Sequence, residues 1–250
     1  MKINTARDIL KMSAEDLISV NHEDLSGTCL GAEEIIHIAR MFNFFWEYDY
    51  KAAREGKVGL HAVLKSGLHS DGFIAMKMLL KIPNIRELLA YQLALQYGIH
   101  VRNIPDSLIG IPDAATDLAR DLGKILGVRA IGAAKVDGNI VISDPIENDE
   151  FVLIIEDVTS SGTGFREVVT KITQANPNAI ILPYELVLFN RGGLKELSFG
   201  ARNNFSIISV AERKMLTWSP QECPLCKRGS CAIKPKATEE NWQAITTSQL

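Results

Sequence analysis

The densest chemistry in the chain lies in VLIIEDVTSSGTG, residues 152 to 164. An uninterrupted apolar run, Phe151 to Ile155, reads as a strand buried on both faces of a parallel sheet. Two acids, Glu156 and Asp157, stand at its carboxyl end. Thr159, Ser160, Ser161, Gly162, Thr163 and Gly164 then lead into a helical pattern that runs to about Ala175. Small hydroxyl residues and glycines let backbone N–H groups converge on an anion, and a helix N-terminus adds a favourable dipole. Two carboxylates beside such a nest would repel a bare polyphosphate. They suit a ligand with hydroxyls next to its phosphate, because carboxylates accept well from a diol. That ligand is a ribose 5-phosphate. A Walker-type loop would need Lys after its last Gly, where this chain has Phe165.

The elements around this run must position it. Thr5 to Val20 and Gly31 to Arg54 have helical spacing, the second with an apolar stripe that includes Phe42, Phe45 and Trp46. From Val58 the pattern changes to short strand-like pieces around a turn at Ser66-Gly67. Pro83 opens a helix expected to close at Gly98. Asp113 to Leu126 is helical and stops at Gly127. Val128 to Lys135 and Asn139 to Ser143 are strand-like around Asp137-Gly138-Asn139, and Ala179 to Phe189 and Phe205 to Val210 are further strands. This alternation predicts an α/β fold with a mostly parallel sheet flanked by helices and an N-terminal helical extension. The expected divisions are residues 1–57, the extension; 58–217, the α/β domain; and 218–250, a Cys-containing tail without periodicity.

The 250 residues are 46% hydrophobic and 23% charged, with a net charge of −3. That balance shows no basic stripe for nucleic acid. The N-terminus lacks the apolar segment of a signal peptide, and no stretch is long and apolar enough for a membrane span, so a cytoplasmic protein is expected. The histidines have no evident partner at ligand spacing and read as surface or packing residues. Cys223 and Cys226 have zinc-like spacing and Cys231 adds a third thiol. No fourth ligand is evident nearby, which leaves zinc and a metal-free tail both open.

The 152–164 run resembles the phosphoribosyl-pyrophosphate signature of type I phosphoribosyltransferases. The resemblance implies that Glu156 and Asp157 hold the ribose hydroxyls and that Thr159, Ser160, Ser161, Gly162 and Thr163 hold the 5-phosphate. Three segments resemble the orotate enzymes of that family. In LKSGLHSDGF, Lys65 would reach the pyrophosphate and Phe73 would line the base pocket. In VLFNRGG, Arg191 would pair with the orotate carboxylate, which a guanidinium fork fits. WSPQECPLCKRGSCAIKP looks like the family's Cys-Pro-Leu-Cys tail. LIGIPDAATDLA falls where the family has a pyrophosphate loop, so backbone groups of Asp113, Ala114 and Ala115 would serve there; on the residues alone, Asp113 is a helix N-cap.

The resemblance also implies Mg²⁺ bridging pyrophosphate and ribose oxygens, a homodimer, and a mobile loop rich in basic residues before the signature. Here that region reads GAAKVDGNIVIS. It keeps only Lys135, has Ala134 where an Arg is expected, and shrinks to a tight turn. Removing that charge weakens stabilisation of departing pyrophosphate. Three readings follow: transfer to orotate, transfer to another base, or a regulatory protein that binds the donor without turnover.

Overall fold

A computed structural model describes residues 3–101, 103–199 and 203–250. The helical pattern expected over Thr5–Val20 is broken in two: a 3₁₀ segment, Ala6–Lys11, and α1, Ala14–Ser19. A second 3₁₀ segment follows at His22–Leu25. Each piece restarts on its own capping box, Thr5 with Asp8, Ser13 with Asp16 and Asn21 with Asp24. Each box satisfies end N–H groups locally, which favours new short starts over one continuous helix.

The second expected helix also divides. Helix α2 covers Ala32–Met41, β1 covers Phe45–Glu47 and α3 covers Tyr50–Arg54. Asn43 takes a left-handed conformation, φ 57°, and reverses the chain. Asn tolerates that region better than most residues. Phe45 and Trp46 therefore lie in a strand, where aromatics pack well.

Strands β2 (Leu60–Val63), β3 (His69–Ser70) and β4 (Gly72–Ile74) follow, then α4 (Met76–Leu79) and α5 (Pro83–His100). Helix α5 passes through Gly98 and stops two residues later, at His100. Next come β5 (Ser107–Gly110), α6 (Ala115–Leu126), β6 (Arg129–Ile131), β7 (Ala133–Val136), β8 (Asn139–Ile142), β9 (Phe151–Thr159) and α7 (Thr163–Ala175). The chain ends with β10 (Ile180–Asn190), β11 (Glu196–Phe199), β12 (Asn203–Glu212), β13 (Thr217–Trp218), α8 (Pro224–Lys227), β14 (Cys231–Ile233) and α9 (Glu239–Thr247). The expected stop at Gly127 holds: it caps α6 at φ 70°.

The chain forms two compact units. One comprises Met1–Ile38 and Met76–Arg213, the other Ala39–Ala75 and Lys214–Leu250. The first holds a six-stranded sheet in the order β11-β12-β10-β9-β5-β6. All its neighbours run parallel except β11, which pairs antiparallel with β12. One core packs Ile109, Ile131, Val152, Ile154, Val168 and Phe205 around Phe165. Alternate residues of β9 thus meet helix α7 on one face of the sheet.

The second unit holds a four-stranded sheet, β13-β3-β2-β14, and the pair β1-β4. Its core gathers Trp46, Ala62, Cys223, Leu225, Trp242 and Ile245. The tail, which shows no periodicity in the sequence, is folded here: β13 pairs with β3 and β14 pairs with β2. These pairings carry the unit across the linear divisions at residues 57 and 217.

Phe165 is fully buried and makes an edge contact with Phe205 at 4.9 Å between centroids. Phe165→Ala should cost about 3–5 kcal/mol. Urea unfolding tests this; a loss under about 1 kcal/mol, within the range of ordinary surface changes, would mean that α7 is not anchored through this ring.

Candidate active site

Strand β9 continues past the apolar run, so Glu156 and Asp157 lie within it and it ends at Thr159. Its two neighbours differ in length. Strand β5 leaves at Gly110, opposite Ile155, whereas β10 stays paired through Asn190, opposite Thr159. One flank of β9 is therefore uncovered beyond Ile155. Such a point at the carboxyl edge of a parallel sheet is where ligands enter α/β folds.

Successive strand residues face opposite sides, and this separates the two acids. Glu156 is buried beside Glu185 of β10, a residue with no exposure. Burial pushes the Glu156 carboxyl well above its ordinary range, and its hydrogen bond to Glu185 and that group's charge push it further. The Thr159 hydroxyl and the charge of Lys135 offset part of this. Burial raises Glu185 as well. Two buried carboxyl groups side by side oppose each other's ionisation. Asp157 is only partly covered. Burial, and then the charge of Glu156, push its carboxyl up to about 7, while Lys77 pulls the other way.

The loop after β9 has the form expected of an anion cradle. Gly162 occupies the helix N-cap at φ 69°, where a Cβ would strike the Leu197 side chain. The first N–H groups of α7 have no partner within the helix. The Ser161 and Thr163 hydroxyls lie 3.0 Å apart, and Arg166 donates to the Ser161 carbonyl at 2.6 Å, which pins the loop to the first turn of α7. Ser160, Ser161 and Thr163 face solvent.

Arg191 follows β10 directly. Its backbone N–H donates to the Thr159 carbonyl at 3.0 Å, and its side chain is largely buried. A Cβ on Gly192 would lie 2.1 Å from the Ser160 carbonyl oxygen, so only glycine permits this approach. Asn190 then pinches the turn, donating to the Leu194 carbonyl at 2.7 Å and accepting from its N–H at 3.2 Å. The segments VLIIEDVTSSGTG and VLFNRGG, distant in sequence, are thus in backbone contact.

Lys135 lies exposed on β7, whose hairpin with β8 turns through Asp137 and Gly138, both left-handed. That is the tight turn the sequence predicts. The hairpin leans on α7, with Ile140 N–H donating to Glu167 at 2.9 Å. Asp113 and Ala114 follow β5, the Pro112–Asp113 peptide being cis. Ala114 takes the cap position of α6, in place of the Asp113 cap expected, and the Asp113 carboxylate instead accepts from Lys77 at 2.8 Å.

In the second unit, Lys65 sits exposed at the turn between β2 and β3. It joins Phe73 of β4, Lys234 and Lys236 around a cavity of about 310 Å³. Phe73 packs on Trp242 at 6.0 Å, and the Lys236 ammonium lies 4.2 Å above that same indole. Sequence reasoning paired Lys65 with Phe73 but missed both further lysines. It also missed Glu185, although an acid inside ILPYELVLFN is a visible anomaly for a buried strand.

The thiols are sorted differently from expectation. His61, His69, Cys223 and Cys226 bring one ligand atom each to within 4.8 Å of one another. Cys231 is exposed and stands outside this group. Two histidines read as surface or packing residues therefore supply the missing partners.

The open sheet edge and the hydroxyl-rich loop stand together at the carboxyl end of β9. No family model matches the chain. It is 32% identical over 179 residues to an orotate phosphoribosyltransferase of Heliobacterium modesticaldum, covering 70% of this chain and 88% of that protein. It is 30% identical over 188 residues to one of Nitratiruptor sp., covering 70% and 90%. The structure of Leishmania donovani UMP synthase shares the fold at TM-score 0.50 and 20% identity, covering 85% of this chain and 44% of that longer one. The chain belongs to the type I phosphoribosyltransferase family, a class of pentosyltransferases. No helix among the described residues is long and apolar enough to cross a membrane.

The Asp157 carboxyl titrates in the folded chain near 7, against an ordinary 3.8. The fold therefore holds this proton more tightly than the unfolded chain does. The associated stability is present below the ordinary value and is lost as pH rises through about 7. Asp157→Asn should then melt higher than the parent protein at pH 8, with the difference closing as pH falls toward about 4. Thermal melts across that range test this, and an Asn variant that melts lower at pH 8 would contradict it.

Proposed function

We propose that this protein transfers the ribose 5-phosphate unit of phosphoribosyl pyrophosphate to a ring nitrogen of orotate. The single observation that carries the choice of base is the clasp between Arg191 and the phosphate loop. The Arg191 backbone N–H ties this residue to the loop taken as the sugar-phosphate cradle, and an arginine at that position would suit a carboxylate on the acceptor. An Arg fork binds a carboxylate through two parallel bonds, which selects a carboxylated base over a neutral one.

In the reaction, the bond from the ribose anomeric carbon to the pyrophosphate oxygen breaks and a carbon–nitrogen bond to the base forms. Pyrophosphate leaves, and the nitrogen gives up its proton. The transition state has oxocarbenium character, so catalysis rests on positioning and charge rather than on a protein nucleophile. Thr159, Ser160, Ser161, Gly162 and Thr163 hold the 5-phosphate. Asp157, the more accessible acid, accepts from the ribose hydroxyls. Glu156, buried beside Glu185, lies beneath the loop. Lys135 takes the pyrophosphate charge, with backbone groups at Asp113 and Ala114; for Lys65 and Phe73 the family resemblance implies pyrophosphate and base contacts. Mg²⁺ fits this donor set, because oxygen ligands suit a hard cation and Asp157 offers one accessible carboxylate. When bound it would neutralise pyrophosphate charge, held mainly by the substrate's own oxygens. The family resemblance implies a homodimer.

A second reading, a transferase for another base, draws on the hairpin that retains only Lys135. An assay of the full chain with donor, Mg²⁺ and a panel of bases separates the two. Orotidine monophosphate formation from orotate alone is expected, and turnover of a neutral base in preference to orotate would overturn the choice. Arg191→Lys should raise the KM for orotate about tenfold or more, equivalent to about 1.4 kcal/mol, and leave the donor KM nearly unchanged. Equal effects on both constants would remove Arg191 from the base site.

A further inference from the structure

The group of His61, His69, Cys223 and Cys226 belongs to neither the sugar-phosphate cradle nor the Lys65 cavity. Strand β2 carries His61 and β3 carries His69, in an antiparallel hairpin that pairs Val63 with His69. His61 lies two residues before Val63 on the same strand face, so the two histidines are diagonal neighbours on one side of the sheet. Their rings stand 4.9 Å apart between centroids. Cys223 immediately precedes α8 and Cys226 lies within it. A single turn of chain therefore presents both sulfurs to that side.

The distances close on one point. His61 Nε2 lies 3.0 Å from His69 Nδ1, 3.4 Å from Cys223 Sγ and 3.5 Å from Cys226 Sγ. Cys226 Sγ lies 3.3 Å from His69 Nδ1. A tetrahedral zinc with ordinary bond lengths sets nitrogen–nitrogen spacing at about 3.4 Å and nitrogen–sulfur spacing at about 3.6 Å. The set is within a few tenths of an ångström of that figure. Hydrogen bonding does not account for it as well, because one ring lone pair cannot serve three donors at once.

The surroundings select the tautomer that a metal needs. The Ser230 hydroxyl donates its one proton to the Gly59 carbonyl at 3.0 Å, so toward His61 Nδ1, at 2.9 Å, it acts as acceptor. His61 thus carries its proton on Nδ1 and aims a bare Nε2 lone pair into the cluster. A hydrogen-bonded relay from ligand to backbone of this kind is the usual support of a metal-bound imidazole. Register explains why Cys231 is left out. Strand β14 runs parallel to β2 with Cys231 opposite Leu60 and Ala232 opposite His61. Paired residues share a face, so Cys231 faces away from His61.

We propose that these four residues form a structural zinc site, Zn²⁺ held by His61 Nε2, His69 Nδ1, Cys223 Sγ and Cys226 Sγ, which fastens the C-terminal segment to the β2–β3 hairpin. Two imidazoles and two thiolates give a neutral complex, suited to a site in which His61, His69 and Cys223 are buried. Four protein ligands leave no open position, which distinguishes a structural from a catalytic zinc. The mixed nitrogen and sulfur set suits zinc over the hard cations.

The test uses the full chain, purified with its affinity tag removed and without added chelator. Elemental analysis should find about one zinc per chain. In the native protein a thiol reagent should react with Cys29 and Cys231, and with Cys223 and Cys226 only after a strong zinc chelator is added. The cobalt-substituted protein should show the intense visible bands of a tetrahedral thiolate site. Cys231→Ser should leave those bands unchanged, and His69→Asn should shift or abolish them. If His69→Asn does not fold, thiol protection in the unaltered chain still decides. Protein without zinc after growth and refolding in zinc, thiol reactivity indifferent to chelator, or metal loss in Cys231→Ser with retention in His69→Asn would each overturn the proposal.

Discussion

The first unit depends on the clasp that joins the ends of β9 and β10. Parallel pairing carries the two strands together from Glu156 opposite Val187 to Thr159 opposite Asn190. The Arg191 N–H then closes on the Thr159 carbonyl, and Gly192 lies against the backbone of Ser160. A loop whose backbone must converge on an anion cannot be left to fluctuate, since misplacement by an ångström forfeits much of the benefit of positioning. The clasp supplies rigidity with main-chain contacts, while Ser160, Ser161 and Thr163 stay exposed to solvent.

The same strand pairing places an acid beneath the loop. Glu185 is buried two positions before Val187, and Glu156 leans against it. Buried charge is costly, so both carboxyl groups are held above the ordinary range, and burial followed by the charge of Glu156 lifts neighbouring Asp157 as well. The Asp157 carboxyl is thus raised to about 7 rather than fixed as an anion. Stability is given up for this, as is common where functional groups are held in environments that oppose their charge.

The second unit follows a different logic. It is small and built from short strands, and small units seldom bury enough apolar surface to hold themselves firmly. Trp242, Trp46 and Leu225 form a modest core, and the C-terminal strand β14 completes the sheet beside β2. The lysines at 65, 234 and 236 gather where the hairpin turn meets the segment after β14. Holding that segment to the hairpin therefore also fixes a concentration of positive charge.

The sequence by itself determined what local chemistry can specify. Apolar runs and Gly-rich turns marked β9, β10, α6 and α7, and the spacing of hydroxyls and glycines marked the loop between β9 and α7. The Asp137-Gly138 turn is likewise readable, because left-handed conformations restrict residue type. The capping box at Ser13 was equally visible, yet helical periodicity over Thr5–Val20 masked the break it imposes. Only the tertiary structure decided which distant residues meet. Nothing local to Glu185 says that Glu156 lies beside it, and nothing near Cys223 names His61 and His69 as its neighbours. Those pairings follow from strand order and register, which fix the face each side chain occupies, and register is settled by the packing of the whole sheet rather than by any one segment.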